Sequence, residues 1–190
     1  MRKVILYIAM SLDGFIADSL GGVQWLEDQA PDAGEAESYS QLMRDIDTVL
    51  MGWKTYHQVI TELSPGQWPY QGLTSYVFTR QKMPSTSEVR FVAQDPAILV
   101  EQLRREEGKD IWICGGANLA QQLIWEDAID IFHLTLIPTI LGSGIRLFGT
   151  LEEKRTCKLI STQECHGMVE LIYERHGRLG QWKREEENMQ

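Results

Sequence analysis

The chain is short of cysteine, proline and long apolar runs, and each shortage closes off a class of protein. Cys114, Cys157 and Cys165 are odd in number and form no C-x-x-C pair, so a disulfide framework or zinc ribbon is not available. Reduced thiols and a cytoplasmic setting are expected. No run of about 20 apolar residues occurs, so no helix is expected to span a membrane. Basic side chains are outnumbered, 18 against 27 acidic ones, for a formal charge of -9. That surface repels phosphate backbones and anionic lipid headgroups, which argues against nucleic-acid and membrane partners. Only six prolines are present, and neither an internal repeat nor a Pro/Gly/Ser linker divides the chain.

What is present suits one domain. A chain of 190 residues, 43% hydrophobic and 24% charged, buries roughly 70% of its unfolded surface and needs no staple. Arg2 and Lys3 before the apolar residues 4–10 resemble a leader. Asp13 follows closely, however, and no small-residue cleavage site does, so a buried first strand is expected. Residues 4–10 and 130–137 lack polar alternation, the pattern of strands covered on both faces. Shorter runs at 48–51, 75–79, 89–92 and 111–114 add strands, and 158–164 with 168–174 form a closing antiparallel hairpin, about eight strands in all.

Helical periodicity fills the gaps. Tyr39, Leu42, Met43 and Ile46 share one face of a helix starting near Gly34. Asp95 and Pro96 make an N-cap and first turn for a helix that Gly108 is expected to stop. Residues 118–126 form a third helix after Gly115 and Gly116, and a short helix starts at Lys54. Strands alternating with helices predict a three-layer α/β domain over residues 1–176, its mixed sheet mostly parallel. Residues 177–190, with no apolar periodicity, are expected to be a disordered polar tail.

In open α/β sheets ligands bind beyond the carboxyl ends of the strands, where helix N-termini present unpaired N–H groups to anions. Residues 51–55 and 114–118 have that strand–glycine–helix arrangement, and Gly142 and Gly144 form a third loop. Each alone is equally well a turn or cap. Neither a G-x-G-x-x-G fingerprint nor a P-loop is present. His57 and His133 lack metal-ligand spacing, no metal site is expected, and His133 reads as a satisfied buried imidazole.

Taken together, Ser11-Leu12-Asp13-Gly14-Phe15-Ile16-Ala17, Met51-Gly52-Trp53-Lys54-Thr55-Tyr56, Ile113-Cys114-Gly115-Gly116-Ala117 and Pro138-Thr139-Ile140-Leu141-Gly142-Ser143-Gly144 resemble the dihydrofolate reductase superfamily. Within it they resemble the branch related to the reductase domain of the bifunctional riboflavin-biosynthesis deaminase-reductase. The resemblance spans most of residues 4–176. It implies a dihydrofolate-reductase-like fold, NADPH as hydride donor and a homodimer. The zinc-deaminase signature H-x-E with P-C-x-x-C is absent, so only the reductase part is expected.

The resemblance places Gly52, Lys54 and Thr55 at the cofactor phosphates, with Thr79, Arg80 and Gln81 near the adenosine end. Gly115, Gly116, Ala117 and Asn118 would line the pyrophosphate and nicotinamide side. Gly142 and Gly144 would shape the same cleft, and Ala9, Leu12, Asp13 and Gly14 would border the reactive end. Many relatives carry Arg at the position of Trp53, where it would meet the 2'-phosphate; Lys54 and Arg80 are the remaining cations for that task. The family's pterin-holding carboxylate falls between Glu35 and Glu37, with Ala36 in the ungapped register. Glu35, Glu37 and Asp13 are therefore the candidate acids, Asp13 and Glu37 foremost. The glutamates serve equally as helix-start residues, and Asp13-Gly14 equally as a turn. The expected activity is reduction of a small planar or imine-containing acceptor, pterin-like or ribosylaminopyrimidine-like. The alternative is a dimeric nucleotide-binding protein without turnover.

Overall fold

The structure is a computed structural model that describes residues 1–29 and 37–176; Glu35 and the expected tail at 177–190 lie outside them. Strand β1 (Val4–Ser11) leads into the short β2 (Phe15–Ala17) and a 3-10 turn at Gln24–Gln29. Next come α1 (Glu37–Asp45), β3 (Ile46–Gly52) and α2 (Trp53–Gln58), which runs on into a π-helical turn at Val59–Leu63. Strands β4 (Thr74–Phe78) and β5 (Val89–Val92) precede α3 (Pro96–Arg105), β6 (Asp110–Gly115) and α4 (Ala117–Trp125). The chain closes with β7 (Ile131–Ile137), β8 (Ile145–Arg146), β9 (Cys157–Cys165) and β10 (Met168–Arg175).

Eight strands form one sheet in the order β5-β4-β3-β6-β1-β7-β10-β9. Pairing is parallel from β5 to β7 and antiparallel at β10 and β9. The two-residue side-chain period divides the core. Val4 and Leu6 pack with Leu99, Leu103, Leu119 and Leu123 of α3 and α4. Val49, Met51 and Trp112 pack with Leu42 of α1 and Val59 beyond α2. These are the three layers expected of so apolar a set of strands.

Two details differ from the sequence reading. Strands β2 and β8 pair antiparallel as a separate ribbon, invisible in sequence because three- and two-residue strands carry no measurable alternation. Helix α3 is N-capped by Asp95, whose carboxylate accepts from Ala97 N at 2.8 Å, but it ends at Arg105 rather than at Gly108. Gly108 is there for close packing: a Cβ on it would lie 2.6 Å from Asp47 Oδ2, and its φ is +153°.

Charged side chains tie the layers together. Asp130 accepts from Arg104 at 2.7 Å, Arg175 at 2.9 Å and the Val4 N–H at 2.9 Å, joining α3, β10 and β1 at the amino end of the sheet. No helix among the described residues is long and apolar enough to cross a membrane.

Candidate functional site

The parallel strands all point their carboxyl ends to one edge, and there the glycine loops meet. Met51 on β3 is in register with Gly115 on β6. A Cβ on Gly52 would lie 3.9 Å from Gly116 N, and one on Gly116 would lie 3.3 Å from Thr55 Oγ1. Gly52, Thr55, Gly115 and Gly116 thus surround one notch, although 60 or so residues separate the two motifs. The Gly115–Gly116 peptide is cis. Helix α4 starts at Ala117 with Gly116 as a cap that offers no side-chain acceptor, which leaves its first N–H groups, at Ala117 and Asn118, to an external partner. Asn118 is exposed and its amide oxygen accepts from Gln122 at 2.7 Å.

Neighbouring strand ends extend the notch. Gly52 is paired with Phe78, so Thr79 and Arg80 follow directly beside it. Thr79 N donates to Val92 O at 2.8 Å, its hydroxyl accepts from Gln81 N at 3.1 Å, and Lys54 and Arg80 are exposed. Trp53 turns its ring toward Tyr56, His57 and Phe91, with centroids 5.7, 5.9 and 6.3 Å away. Its role in the structure is aromatic packing.

On the other side of β1 the third loop is anchored by Asp13. The carboxylate accepts from Ser11 Oγ at 2.6 Å, Leu141 N at 3.1 Å and Gly142 N at 2.7 Å. The Ser11 hydroxyl, with help from the two backbone donors, holds the Asp13 carboxyl below the usual carboxylate range. Leu12 N donates to Thr139 O at 2.9 Å. Asp13 therefore fastens the loop of Gly142 to the turn of Gly14. Gly144 has a packing reason of its own, since a Cβ there would collide with the Ala17 carbonyl oxygen.

Between the two sides the sheet is open. Val4 and Leu6 are fully buried, yet Tyr7, Ile8, Ala9 and Met10 remain partly exposed although β1 lies inside an eight-stranded sheet. Thr135 and Leu136 on β7, paired with Ala9 and Met10, are likewise partly exposed. The carboxyl half of β1, Ala9 included, is therefore less covered than its amino half.

The inward position at the start of α1 belongs to Ser38. Its hydroxyl lies 3.2 Å from Tyr7 Oη and 2.5 Å from Glu170 Oε1, whereas Glu37, the neighbouring residue, is exposed. Glu170 also approaches His133 Nε2 at 3.4 Å, and the Tyr7 and His133 rings meet edge-on at 4.5 Å. Burial lowers the His133 pKa against the opposing pull of Glu170, and burial raises that of Tyr7. Tyr7, Ser38 and Glu170 are polar groups that sequence reasoning missed; Glu170, an acid between the apolar Val169 and Leu171 of β10, is the signal the sequence offers. Cys114 lies 3.6 Å from Tyr70 Oη, and burial pushes its thiol up to about 11, so it stays protonated and unreactive.

This architecture, a mostly parallel eight-stranded sheet with a closing antiparallel hairpin, is that of the dihydrofolate reductase class. An Enterococcus faecalis dihydrofolate reductase, solved with NADP(H), superposes with a TM-score of 0.59 at 15% identity, covering 92% of this chain and 97% of that one. Residues 2–170 match the model of the RibD C-terminal domain, and the chain belongs to that family. A Shewanella sp. PV-4 protein named for riboflavin biosynthesis is 26% identical with a TM-score of 0.83, over 93% of this chain and all of that one. YwjB of Bacillus subtilis (strain 168), itself uncharacterized, is 41% identical over 176 residues, 92% of this chain and 98% of its own length.

Proposed function

We propose that the protein is an NADPH-dependent reductase of a small planar or imine-containing acceptor. The observation that carries this reading is the notch formed by Gly52, Thr55 and Gly116 beside the uncapped start of α4. Helix N–H groups and nearby glycines that let a ligand's backbone approach are what a diphosphate requires. The residues present fit the cofactor: Gly115, Gly116, Ala117 and Asn118 would hold the pyrophosphate side, Thr55 would donate its hydroxyl, and Thr79 would line the adenosine end. Lys54 and Arg80 would supply the positive charge that selects a 2'-phosphate. When bound, NADPH would supply the hydride; the protein's part would be to hold the cofactor through Gly115 and Gly116 and to border the reactive end with Ala9. The family, and the NADP(H)-bound reductase that shares the fold, support this reading.

Titration of the purified chain with NADPH and NADH in parallel, at fixed ionic strength and by tryptophan fluorescence, tests it. NADPH is expected to bind at least about tenfold more tightly, as one charge-assisted phosphate contact provides. Failure of both nucleotides to bind well-folded protein would sink the reading, and binding of NADPH without turnover across an acceptor screen would favour the non-catalytic alternative.

We further propose that the functional form is a homodimer built on β9. This strand is one of the sheet's two edges, the antiparallel one; its residues 157–164 are all exposed, with Leu159 and Ile160 at 48% and 50% on opposite faces. An antiparallel edge is self-complementary about a two-fold axis, so a second copy is the natural cover for it. Light scattering should report a dimer, and a monomer for the double substitution Leu159→Lys with Ile160→Lys; a wild-type monomer refutes the assignment.

A further inference from the structure

Three of the six tryptophans stand in one row, with a tyrosine between each neighbouring pair. Trp53, Tyr56, Trp68, Tyr70 and Trp112 follow one another with ring centroids 5.7, 5.6, 5.1 and 5.2 Å apart. The row runs from α2, through the segment before β4, to the middle of β6, within the core layer that holds Leu42 of α1. Filling that layer needs only apolar volume, which leucine or phenylalanine supplies with no polar atom to satisfy. Two of these rings carry such an atom with little to bond it. Trp68 Nε1 is buried without a hydrogen-bond partner, and the Tyr70 hydroxyl meets the Cys114 thiol, a weak partner, at 3.6 Å.

What tryptophan and tyrosine share, and leucine and phenylalanine lack, is ease of one-electron oxidation. Electron tunnelling slows steeply with distance, so several short steps between touching rings outrun one long step. An indole gives up an electron without first losing a proton, whereas a phenol must lose its proton to hold the oxidised state. Tyr70 has no base to take that proton, because burial pushes the Cys114 thiol up to about 11 and keeps it a thiol. Tyr70 therefore bridges Trp68 and Trp112 without trapping an electron hole. Trp68 has no acceptor for its N–H either, so its oxidised form stays a cation and draws an electron from the next ring outward.

Burial gives the row a direction. Trp112 is 5% exposed and Tyr70 9%, whereas Trp68, Tyr56 and Trp53 are partly exposed. A positive hole is better solvated toward water, so it is drawn from Trp112 to Trp53. Trp112 is also the ring through which α1 meets the row, with the Tyr39 centroid 6.1 Å away.

We infer that Trp112, Trp68 and Trp53, bridged by Tyr70 and Tyr56, form an electron relay that clears one-electron oxidation from the buried sheet to the protein surface. A one-electron oxidant takes an electron from Trp112 and is itself reduced by one. Trp68 then gives one electron to Trp112, and Trp53 gives one to Trp68. Trp53, reached by water, releases its indole proton. The net loss is one electron and one proton from Trp53, with Trp112 and Trp68 restored. Hydride transfer moves two electrons together and makes no use of this row, so the inference is independent of the reductase reading.

The test places a ruthenium polypyridyl photo-oxidant on α1 of the full chain, through Gln41→Cys at an exposed position, with Cys157 and Cys165 changed to serine. A light flash with a sacrificial quencher generates the oxidant, and transient absorption follows the protein radicals. A short-lived tryptophanyl cation is expected first, then a long-lived neutral tryptophanyl radical that Trp53→Phe abolishes. Trp68→Phe, which interrupts the row at its middle, should abolish the same long-lived radical and leave the initial cation. A merely structural role for Trp68 would not connect it to a radical at Trp53. Absence of any tryptophanyl radical, a neutral radical that survives Trp53→Phe, or one that survives Trp68→Phe in a folded chain overturns the inference. Melting curves establish that each variant is folded. Should Trp68→Phe not fold, Trp53→Phe decides alone, since that ring is partly exposed and its replacement keeps an aromatic side chain.

Discussion

Substitution of Asp130 by alanine is expected to lower the free energy of unfolding by about 3–5 kcal/mol, the range for breaking a buried ion pair from one side. Its carboxylate serves Arg104, Arg175 and the Val4 N–H at once. The Arg104 side chain is only 5% exposed and that of Arg175 14%, so water replaces the acceptor poorly; Arg175 keeps Asp127 at 2.8 Å, whereas Arg104 is left chiefly with the Ala128 carbonyl at 2.6 Å. Urea titration of the variant should show a lower midpoint with an unchanged slope. Thermal unfolding should begin roughly 10 °C earlier. A loss below about 1 kcal/mol would mean that water replaces the carboxylate and that the network is no more than a surface pair.

Substitution of Gly116 by leucine is expected to raise the NADPH dissociation constant at least about a hundredfold, or about 2.7 kcal/mol. A Cβ at this position already stands 3.3 Å from Thr55 Oγ1, and the rest of a leucine would occupy the notch between β3 and the start of α4. Nucleotide titration reads the effect, and a melting curve of the same sample without nucleotide separates a filled cleft from a lost fold. Undiminished binding in a folded variant would remove the phosphates from this notch. Gly144 is a different case: its φ of +149° and the Ala17 carbonyl, which stands where a Cβ would go, make it a requirement of the close approach of β8 to β2. Its replacement would be felt by the fold before the cleft.

The candidate site was legible where its chemistry is local. Gly52 and Thr55 belong to one motif, Gly115 to Asn118 to another, and each follows an apolar strand, so the loops could be read as ligand-binding turns before their meeting was visible. Asp13 was legible as a residue of importance, but its partners Leu141 and Gly142 lie some 130 positions away, and only they show that it anchors a loop. At the start of α1, the family register counted back from Met51-Gly52 falls between Glu35 and Glu37, and one helical position is a rotation of about 100°. The packing of Leu42 against Trp112 sets that rotation and brings Ser38 inward.

By itself, then, the sequence determined the eight strands of the main sheet, the capped helix after Asp95 and the glycine turns, because hydrophobic period, capping and turn preference act within a few residues. Tertiary structure alone decided that Tyr7, Ser38, His133 and Glu170 share one cluster, that Arg104 and Arg175 converge on Asp130, and that β9 is an exposed edge. Those outcomes depend on strand order and register, which bring together residues distant in the chain and leave no periodic trace in it.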